Sequence, residues 1–266
     1  MNHLNINDLR DKFQKNGIIA LENFIKETEI DLLKNIVKFH CGTKNISGNT
    51  FPANLTEILK IIKKPKKIFN TLKLFYICKK YNLKKIANKL KETEMELVMI
   101  DGYISEKSNI PVLDWHVDQA YSGKKNVSEF VDPDKSIVKF FFYLTDVDYQ
   151  NGCLGYIPGS NKIAYFLKKL IKNKKIKYNP YWSLKDLRNQ VTKEEIYNNL
   201  KKEIEEGLIK DFVESTDFLE NKNSDQKYFF PLKKGSLLIF DEAGAHKGSS
   251  PKLNDRYVLR FFFRKK

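Results

Sequence analysis

Three residues of this chain have the types and the spacing of a metal site. His116 and Asp118 stand two positions apart, directly after Trp115, and His246 stands far downstream. Because side chains alternate along a β-strand, a strand over this triplet would point His116 and Asp118 to the same face. Two imidazoles and one carboxylate leave half of an octahedral metal open, as in non-haem Fe(II) oxygenases. An H-x-D triplet alone is more often incidental, so other residues must support this interpretation.

Two arginines follow His246 on a predicted strand of alternating character. Arg256 and Arg260 share one face of that strand. An arginine inside a barrel needs a partner, because a buried unpaired charge is costly, and its planar guanidinium matches a carboxylate with two hydrogen bonds. We interpret Arg256 as the partner of a dicarboxylic cosubstrate that chelates the metal with its other end. We interpret Arg260 as part of a structural ion pair, for which Glu242 and Asp255 are candidates.

The two remaining histidines are interpreted as having no part in such a site. His3 lies at the N-terminus, and His40 ends a predicted helix, where a positive charge is favourable. This leaves His116 and His246, each predicted at the junction of a strand and a loop, as the candidate histidine ligands.

The elements that must position these residues begin with a mainly helical part, residues 1–95. Apolar residues recur there at helical spacing, and Pro65 interrupts the longest helical stretch. The predicted elements are a helix over 6–15, a strand over 17–21, a helix over 26–40 and helices within 53–92.

From about residue 96 the pattern changes to short strands rich in β-branched and aromatic residues. Strands are predicted over 97–105, 111–119, 136–147, 152–157, 236–241 and 256–263, with a charged helical stretch over 164–218. Strands interrupted by one helical insertion predict a β-rich α+β fold, a double-stranded β-helix or jelly-roll barrel with helices packed outside. We expect a single domain over 1–266, with barrel strands in 96–160 and 231–263 and the insertion in 163–230.

The composition favours a folded protein with a lysine-rich surface. The chain has 266 residues, a net charge of +15 and 13% aromatic residues. Nearly all basic residues are lysines, which accompany abundant Asn and Ile, so we interpret most of the charge as solvated; an anionic partner or substrate is the alternative. Cys41, Cys78 and Cys153 lack disulfide or zinc spacing. With no secretory signal and no apolar run long enough to span a bilayer, we expect a cytoplasmic protein.

Several blocks follow one another in a recognisable order. W-H-V-D at 115–118 is followed by a strand, an N-G turn at 151–152, a second strand and then I-P-G-S-N-K at 157–162. Downstream, His246 is followed by Gly248, Ser249 and Arg256. These blocks resemble the phytanoyl-CoA dioxygenase family of Fe(II)/2-oxoglutarate oxygenases, over roughly residues 10–263. Asn161 stands where the family commonly has a histidine, at a position that does not bind the metal.

The resemblance implies a role for each matching residue. His116, Asp118 and His246 correspond to the iron ligands, and Arg256 corresponds to the residue that binds the distal carboxylate of 2-oxoglutarate. Tyr103 stands near where some relatives have a lysine. Positions that line the cosubstrate pocket in relatives match Met99, Phe141 and Ser249, of which the first two also suit a plain core. Possible substrate contacts are Lys139, Tyr143, Arg260 and Trp182.

The implied reaction uses O₂ and converts 2-oxoglutarate to succinate and CO₂ while an unactivated C–H bond of a small molecule is oxidised. Asp118 favours hydroxylation, because halogenating relatives have a small residue at this position. The insertion suggests a lid for an anionic or carrier-linked substrate, and a solvated basic helix is the alternative. Its residues in question are Lys168, Lys169, Lys172, Lys174, Lys175, Lys177, Tyr178, Tyr181 and Trp182.

Two other classes of function remain open. A cupin-like barrel could use the same ligands with Zn²⁺ or Mn²⁺ for hydrolysis or isomerisation, but this would leave Arg256 without a role. A catalytically inactive module could bind nucleic acid or an acidic surface, but only residues 168–182 combine basic and aromatic residues, and no nucleic-acid motif accompanies them.

Overall fold

The chain forms two antiparallel β-sheets, seen in a computed structural model that describes residues 5–41, 49–109, 113–117, 136–177, 182–221 and 226–266. The strands are β1 (Ile18–Leu21), β2 (Asn49–Phe51), β3 (Met95–Ser105), β4 (Leu113–His116), β5 (Ile137–Tyr143), β6 (Leu154–Tyr156), β7 (Phe229–Phe230), β8 (Leu237–Asp241), β9 (His246–Gly248) and β10 (Arg256–Lys265). The major sheet has six strands in the order β1-β8-β5-β10-β3-β2, and the minor sheet has four in the order β4-β9-β6-β7. This is the predicted double-stranded β-helix.

Helices precede the barrel and interrupt it, as predicted. Local sequence explains several of their ends: the side chain of Asn5 caps the first helix, Gly17 ends it with φ of 73°, and Pro65 occupies the first turn of the fourth. The helices are α1 (Ile6–Asn16), α2 (Glu27–Cys41), α3 (Leu55–Lys60), α4 (Pro65–Lys80), α5 (Leu83–Lys91), α6 (Ser160–Lys172), α7 (Leu184–Val191), α8 (Glu194–Leu200) and α9 (Glu206–Glu220).

The major sheet has one apolar face and one mixed face, because successive side chains point to opposite sides. On β5, Phe140 and Phe142 belong to the apolar cluster shared with the N-terminal helices, whereas Lys139 and Phe141 line a cavity between the sheets. The same alternation on β10 places Leu259, Phe261 and Phe263 toward the helices and Arg256, Val258 and Arg260 toward the cavity. The helices therefore bury the outer face of the sheet and leave the inner face for a site.

The helical insertion covers the outer face of the minor sheet. Helix α6 buries Ile163 and Leu167 in one cluster with Trp115 of β4 and Ala245, the residue before β9. Each fully buried side chain of this kind contributes roughly 1.5–3 kcal/mol. The insertion therefore backs the strands that carry the two candidate histidine ligands.

The structure adds short strands that the sequence pattern did not predict. β9 begins at His246, in a stretch predicted as loop, and β7 lies inside the predicted helical insertion. Elements of two or three residues show no alternation, so only pairing with neighbouring strands reveals them. Of the predicted strand over 111–119, the described part is β4 and Val117; the remainder lies outside the described residues.

His40 corrects one expectation. It ends α2 as predicted, but it is 6% exposed, with its ring 4.1 Å from that of Phe51 between centroids. Burial, together with the nearby charge of Lys67, lowers the pKa of His40 to about 4. It is therefore neutral near pH 7, and the expectation of a favourable cation at this helix end is wrong.

Within the described ranges, no helix combines the length and the apolar character needed to cross a bilayer.

Candidate active site

His116 and His246 lie side by side on neighbouring strands. β4 and β9 are antiparallel, and their register pairs His116 directly with His246. The two rings are 4.5 Å apart between centroids, and the residues are only 2% and 5% exposed. The structure thus brings together two histidines that the sequence separates by more than a hundred residues.

Both imidazoles are oriented by the same local hydrogen bond. Nδ1 of His116 lies 2.7 Å from the carbonyl oxygen of Asp114, and Nδ1 of His246 lies 2.8 Å from that of Gly244. Because a carbonyl oxygen only accepts, each Nδ1 carries the proton and donates it. In the neutral ring, the lone pair is then on Nε2, which is the form that a metal ligand requires. The histidine pair therefore fits a metal ion.

The third predicted ligand, Asp118, lies outside the described residues. β4 ends at His116, two residues earlier. No group of three potential ligands is found among the residues that the structure describes. The ligand set His116, Asp118 and His246 therefore remains a prediction, and the structure describes its two histidines.

A cavity of about 220 Å³ lies between the two sheets beside the histidines. It is smaller than the roughly 300–1,000 Å³ typical of pockets for drug-sized ligands, so its described walls suit a compact ligand. Seven residues predicted for the site line it, namely His116, Lys139, Phe141, Tyr143, His246, Arg256 and Arg260. The other described residues that line it are Tyr103, Leu113, Leu154, Gly248 and Val258.

Arg256 is buried in the cavity wall without an acidic partner among the described residues. Its guanidinium donates hydrogen bonds to the carbonyl oxygen of Gly152, to that of Ser249 at 3.1 Å and to Oγ of Ser105 at 2.8 Å. Its Nε is buried with no hydrogen-bond partner. Burial lowers the pKa of Arg256 from its ordinary value, which reflects the cost of a charge with no counter-ion. Neutral oxygens thus orient Arg256 and leave its charge available to an anion.

Arg260, four residues further along β10, has an acidic partner. Its Nε lies 2.6 Å from Oδ1 of Asp101 and its second amino nitrogen lies 2.5 Å from Oδ2, a two-pronged ion pair with the adjacent strand β3. Its charged end also lies over the rings of Tyr103 and Phe141, at 5.2 Å and 5.4 Å from their centroids. The partner is therefore Asp101, in place of the Glu242 or Asp255 suggested from the sequence.

The remaining predicted residues lie at different distances from the cavity. Ser249 contributes its carbonyl oxygen to Arg256. Lys139 lines the cavity and pairs with Glu242 at 3.3 Å. Met99 is half-buried on β3, and Trp182 is buried in the apolar cluster of the insertion; neither is among the lining residues.

Sequence reasoning missed two residues that position the arginines, Asp101 and Ser105. Both lie on β3 at the two-residue period of Tyr103, a cavity-lining residue. An aspartate in the middle of a mainly apolar strand is a detectable signal, because a buried acid requires a partner.

The lysines of the insertion do not form one exposed face. Lys168 is 4% exposed, its Nζ has no hydrogen-bond partner, and burial lowers its pKa to about 8 despite the nearby carboxylates of Asp241 and Glu242. Tyr178 and Tyr181, named with these lysines, lie outside the described residues. The exposed lysines of the run are Lys169, Lys172, Lys174, Lys175 and Lys177.

A double-stranded β-helix of this topology is the fold of 2-oxoglutarate oxygenases. Within that class, residues 13–254 match the family described as phytanoyl-CoA dioxygenase (PhyH), and the chain belongs to this family. Family membership places it among the non-haem iron enzymes, for which iron is the cofactor and 2-oxoglutarate the cosubstrate.

Solved structures share the fold at low sequence identity. The epimerase SnoN, in complex with Fe³⁺, α-ketoglutarate and nogalamycin RO, superposes with a TM-score of 0.56 at 10% identity, covering 98% of this chain and 83% of SnoN. The carbocyclase SnoK from nogalamycin biosynthesis gives 0.53 at 12% identity, with 97% and 83% covered. EvdO2 from Micromonospora carbonacea var. aurantiaca, complexed with 2-oxoglutarate, gives 0.53 at 14% identity, with 100% and 91% covered. At these identities the likeness concerns the fold. No protein of curated function matches this chain in sequence.

Proposed function

We propose that the chain is an Fe(II)- and 2-oxoglutarate-dependent dioxygenase that hydroxylates an unactivated C–H bond of a small molecule. The observation that carries the proposal is the placement of Arg256. A buried guanidinium with no acidic partner among the described residues shares one small cavity with two histidines whose Nε2 atoms can bind a metal. A dicarboxylate that chelates a metal at one end and needs a cation at the other matches this combination.

In this proposal His116, Asp118 and His246 bind Fe(II). The hydrogen bonds from Nδ1 to the carbonyl oxygens of Asp114 and Gly244 hold each ring in one tautomer and one orientation. When bound, iron and 2-oxoglutarate supply the oxygen chemistry, with succinate and CO₂ as coproducts. The chain itself supplies ligand geometry and a cavity from which water is excluded.

Arg256 binds the distal carboxylate of 2-oxoglutarate. Ser105, which accepts a hydrogen bond from Arg256 through Oγ, has its own hydroxyl hydrogen to donate to the same carboxylate. Burial raises the pKa of Tyr143, so its phenol stays protonated and can donate as well. One cation and two hydroxyl donors would then compensate the carboxylate in a site with little water.

Apolar residues complete the binding of the cosubstrate. Phe141, Leu154 and Val258 line the cavity from three strands of the two sheets. They exclude water from the carbon chain between the two ends of 2-oxoglutarate and strengthen the charge interaction with Arg256.

The reaction outcome is the finer part of the proposal. The class also contains an epimerase and a carbocyclase, SnoN and SnoK. Asp118 favours hydroxylation over halogenation, because a carboxylate ligand occupies the position that a halide would need. For the substrate we propose a small anionic molecule that contacts Lys139, Tyr143 or Arg260 at the cavity wall. Met99 and Trp182 are not among the described residues that line the cavity, so this proposal does not use them.

Anaerobic reconstitution tests the proposal. Fe(II) and 2-oxoglutarate are added to the protein in the absence of O₂, and we expect the visible absorbance band of 2-oxoglutarate chelated to Fe(II). After O₂ is admitted, succinate release is measured against a library of small anionic metabolites, and mass spectrometry then distinguishes the addition of one oxygen atom from isomerisation or ring closure.

Arg256→Ala is the matched variant, because it keeps all predicted metal ligands. It should still bind Fe(II) but should require far more 2-oxoglutarate to develop the band. Absence of the band in the wild-type protein, combined with activity supported by Zn²⁺ or Mn²⁺ alone, would favour the cupin-like alternative. A product isomeric with its substrate would overturn the assignment of hydroxylation and leave the class intact.

A further inference from the structure

The positive charge of the chain is concentrated in one segment. Residues 58–91 contain twelve lysines and no aspartate or glutamate, whereas the whole chain carries a net charge of +15. This segment covers the end of α3, all of α4 and all of α5. A lysine-rich composition spread evenly over the chain would not produce this distribution.

The same region exposes large apolar side chains. Within the described residues, five of the nine exposed large hydrophobic side chains lie in this segment, and a sixth, Phe39 of α2, lies beside it next to Lys66; 42–64% of the surface of these six is accessible. Three of them follow the helical spacing i, i+3, i+7 on α4 and form a stripe opposite the buried Leu74 and Ile77. We call the six residues the α4 patch: Phe39, Leu59, Ile62, Phe69, Leu72 and Tyr76.

Lysines border the α4 patch at contact distance. Nζ of Lys66 lies 4.2 Å from the ring centroid of Phe39, and Nζ of Lys73 lies 4.4 Å from that of Phe69. Lys63 and Lys64, in the turn before α4, are exposed beside Ile62. The surface therefore combines an apolar centre with a cationic rim, which is unusual for a surface that faces only water.

This combination discriminates between possible partners. A second copy would place the same cationic rim against itself, because a twofold interface is self-complementary. The rim lysines, which form no ion pair with any described residue, would then repel one another. A nucleic acid would bind the lysines but would leave the aliphatic side chains of Leu59, Ile62 and Leu72 without a partner. An anionic lipid surface satisfies both features, with lipid phosphates for the lysines and the acyl boundary for the apolar centre.

We propose that the α4 patch docks the protein onto an anionic membrane surface, with α4 lying along the interface and its stripe inserted at the level of the headgroups. The described helices include none able to cross a bilayer, so this contact is peripheral. Long lysine side chains suit such a position, because their stems cover apolar surface while the ammonium groups reach the phosphates. The proposal does not depend on the activity of the barrel.

Vesicle flotation tests the proposal directly. The full chain is mixed with vesicles of phosphatidylcholine alone or of phosphatidylcholine with about one third phosphatidylserine, at low and at physiological salt. We expect binding only to the vesicles that contain phosphatidylserine, weakened by salt because exposed charges are screened.

Two variants separate the two features. Phe69→Ser with Leu72→Ser removes the centre of the stripe, and Lys63→Glu with Lys64→Glu and Lys66→Glu reverses part of the rim. We expect the charge variant to bind at least roughly a hundredfold more weakly, since each lysine near an anionic surface contributes about fivefold. All of these residues are exposed, so the thermal unfolding midpoint should be unchanged in both variants.

A matched control changes three exposed lysines elsewhere, Lys175→Glu, Lys177→Glu and Lys185→Glu, and should retain binding. Equal loss in the control would show diffuse attraction and overturn the proposal, as would absence of binding by the wild-type chain.

Light scattering and DNA competition complete the test. A wild-type dimer that the serine variant converts to monomers would identify a second copy as the partner. Undiminished vesicle binding by the serine variant, with displacement by DNA, would identify nucleic acid.

Discussion

The cations of the cavity and the lysines around the α4 patch differ in burial and in their partners. In the cavity, Arg260 is fixed by Asp101, Lys139 pairs with Glu242, and Arg256 is held by neutral oxygens. Each cation there has a defined position because burial penalises any other arrangement. Most lysines of residues 58–91 are exposed to solvent. They indicate a binding surface only because there are many of them, because the segment contains no acidic residue, and because exposed apolar side chains lie among them. A single buried charge therefore indicates a specific partner or ligand, whereas exposed charges indicate a binding surface only when many of them lie together.

The largest expected effect concerns the histidine pair. His246→Ala removes a predicted ligand, and we expect Fe(II) affinity to fall by more than about a hundredfold, because even the partners of metal ligands are worth 10–100-fold. Metal content after dialysis and the absorbance band with 2-oxoglutarate measure this loss. His40→Gln is the matched control, since it removes a buried histidine far along the chain from both ligands. Unchanged iron binding in His246→Ala would refute the metal site.

The next effect distinguishes the two arginines of β10. Arg256→Ala would leave the distal carboxylate of 2-oxoglutarate buried without its cation, at a cost of about 3–5 kcal/mol. At about 1.4 kcal/mol per decade, 2-oxoglutarate binding should weaken a hundredfold or more. Titration of the absorbance band measures it, and Arg256→Lys should restore part of the affinity. Equal affinity in wild type and Arg256→Ala would show that another residue anchors the cosubstrate.

The ion pair of Arg260 should instead affect the stability of the fold. Asp101→Ala removes its two-pronged partner, and we expect the free energy of unfolding to fall by about 3 kcal/mol, the lower end of the range for a buried pair because Arg260 is partly exposed. Replacing both residues, Asp101→Leu with Arg260→Met, should recover most of this loss, because no charge then remains to be compensated. Urea unfolding of the wild type, Asp101→Leu, Arg260→Met and the double variant gives the coupling energy of the pair. A coupling near zero would mean that the pair contributes nothing to the fold.

The smallest effect tests whether burial sets the pKa of His40, which lies near Lys67 of the lysine-rich segment. The pKa of His40 is lowered to about 4, so the unfolded chain takes up a proton below about pH 6.5 and the folded chain does not. The contribution of His40 to stability is therefore complete above pH 6.5 and is lost as the pH falls toward 4. We expect a loss of about 1 kcal/mol at pH 5.5. Urea midpoints at pH 7 and 5.5 should differ less in His40→Gln than in the wild type; an identical difference would contradict the burial of this ring.

The predicted architecture was confirmed where the sequence pattern is long and periodic. Strands β3, β5, β8 and β10 have enough alternating residues to be recognised, and helices α1 and α2 have capping or apolar spacing at the predicted positions. The strands that escaped prediction have two or three residues and exist through their hydrogen-bonded neighbours. Local sequence is weak evidence for an element whose stability comes from pairing.

The candidate site likewise contains residues that the sequence could predict and residues that only strand pairing and burial reveal. The types and spacing of His116, His246 and Arg256, together with the family resemblance of the blocks around them, selected these residues as candidates. Asp101 was missed because only the register between β3 and β10 places it opposite Arg260. Lys168 was grouped with exposed lysines because composition contains no information on which helix face packs inward.

The sequence by itself determined the order of the helices and the longer strands, the candidate residues for metal binding and carboxylate binding, and the density of lysines in residues 58–91. These follow from residue type and local period, which are properties of the chain alone. Only the tertiary structure decided that His116 faces His246, that Arg260 has an acid and Arg256 has neutral partners, and that six apolar side chains gather on the α4 patch. Pairing and burial depend on which distant segments meet, and that outcome minimises the free energy of the whole chain rather than of any one segment.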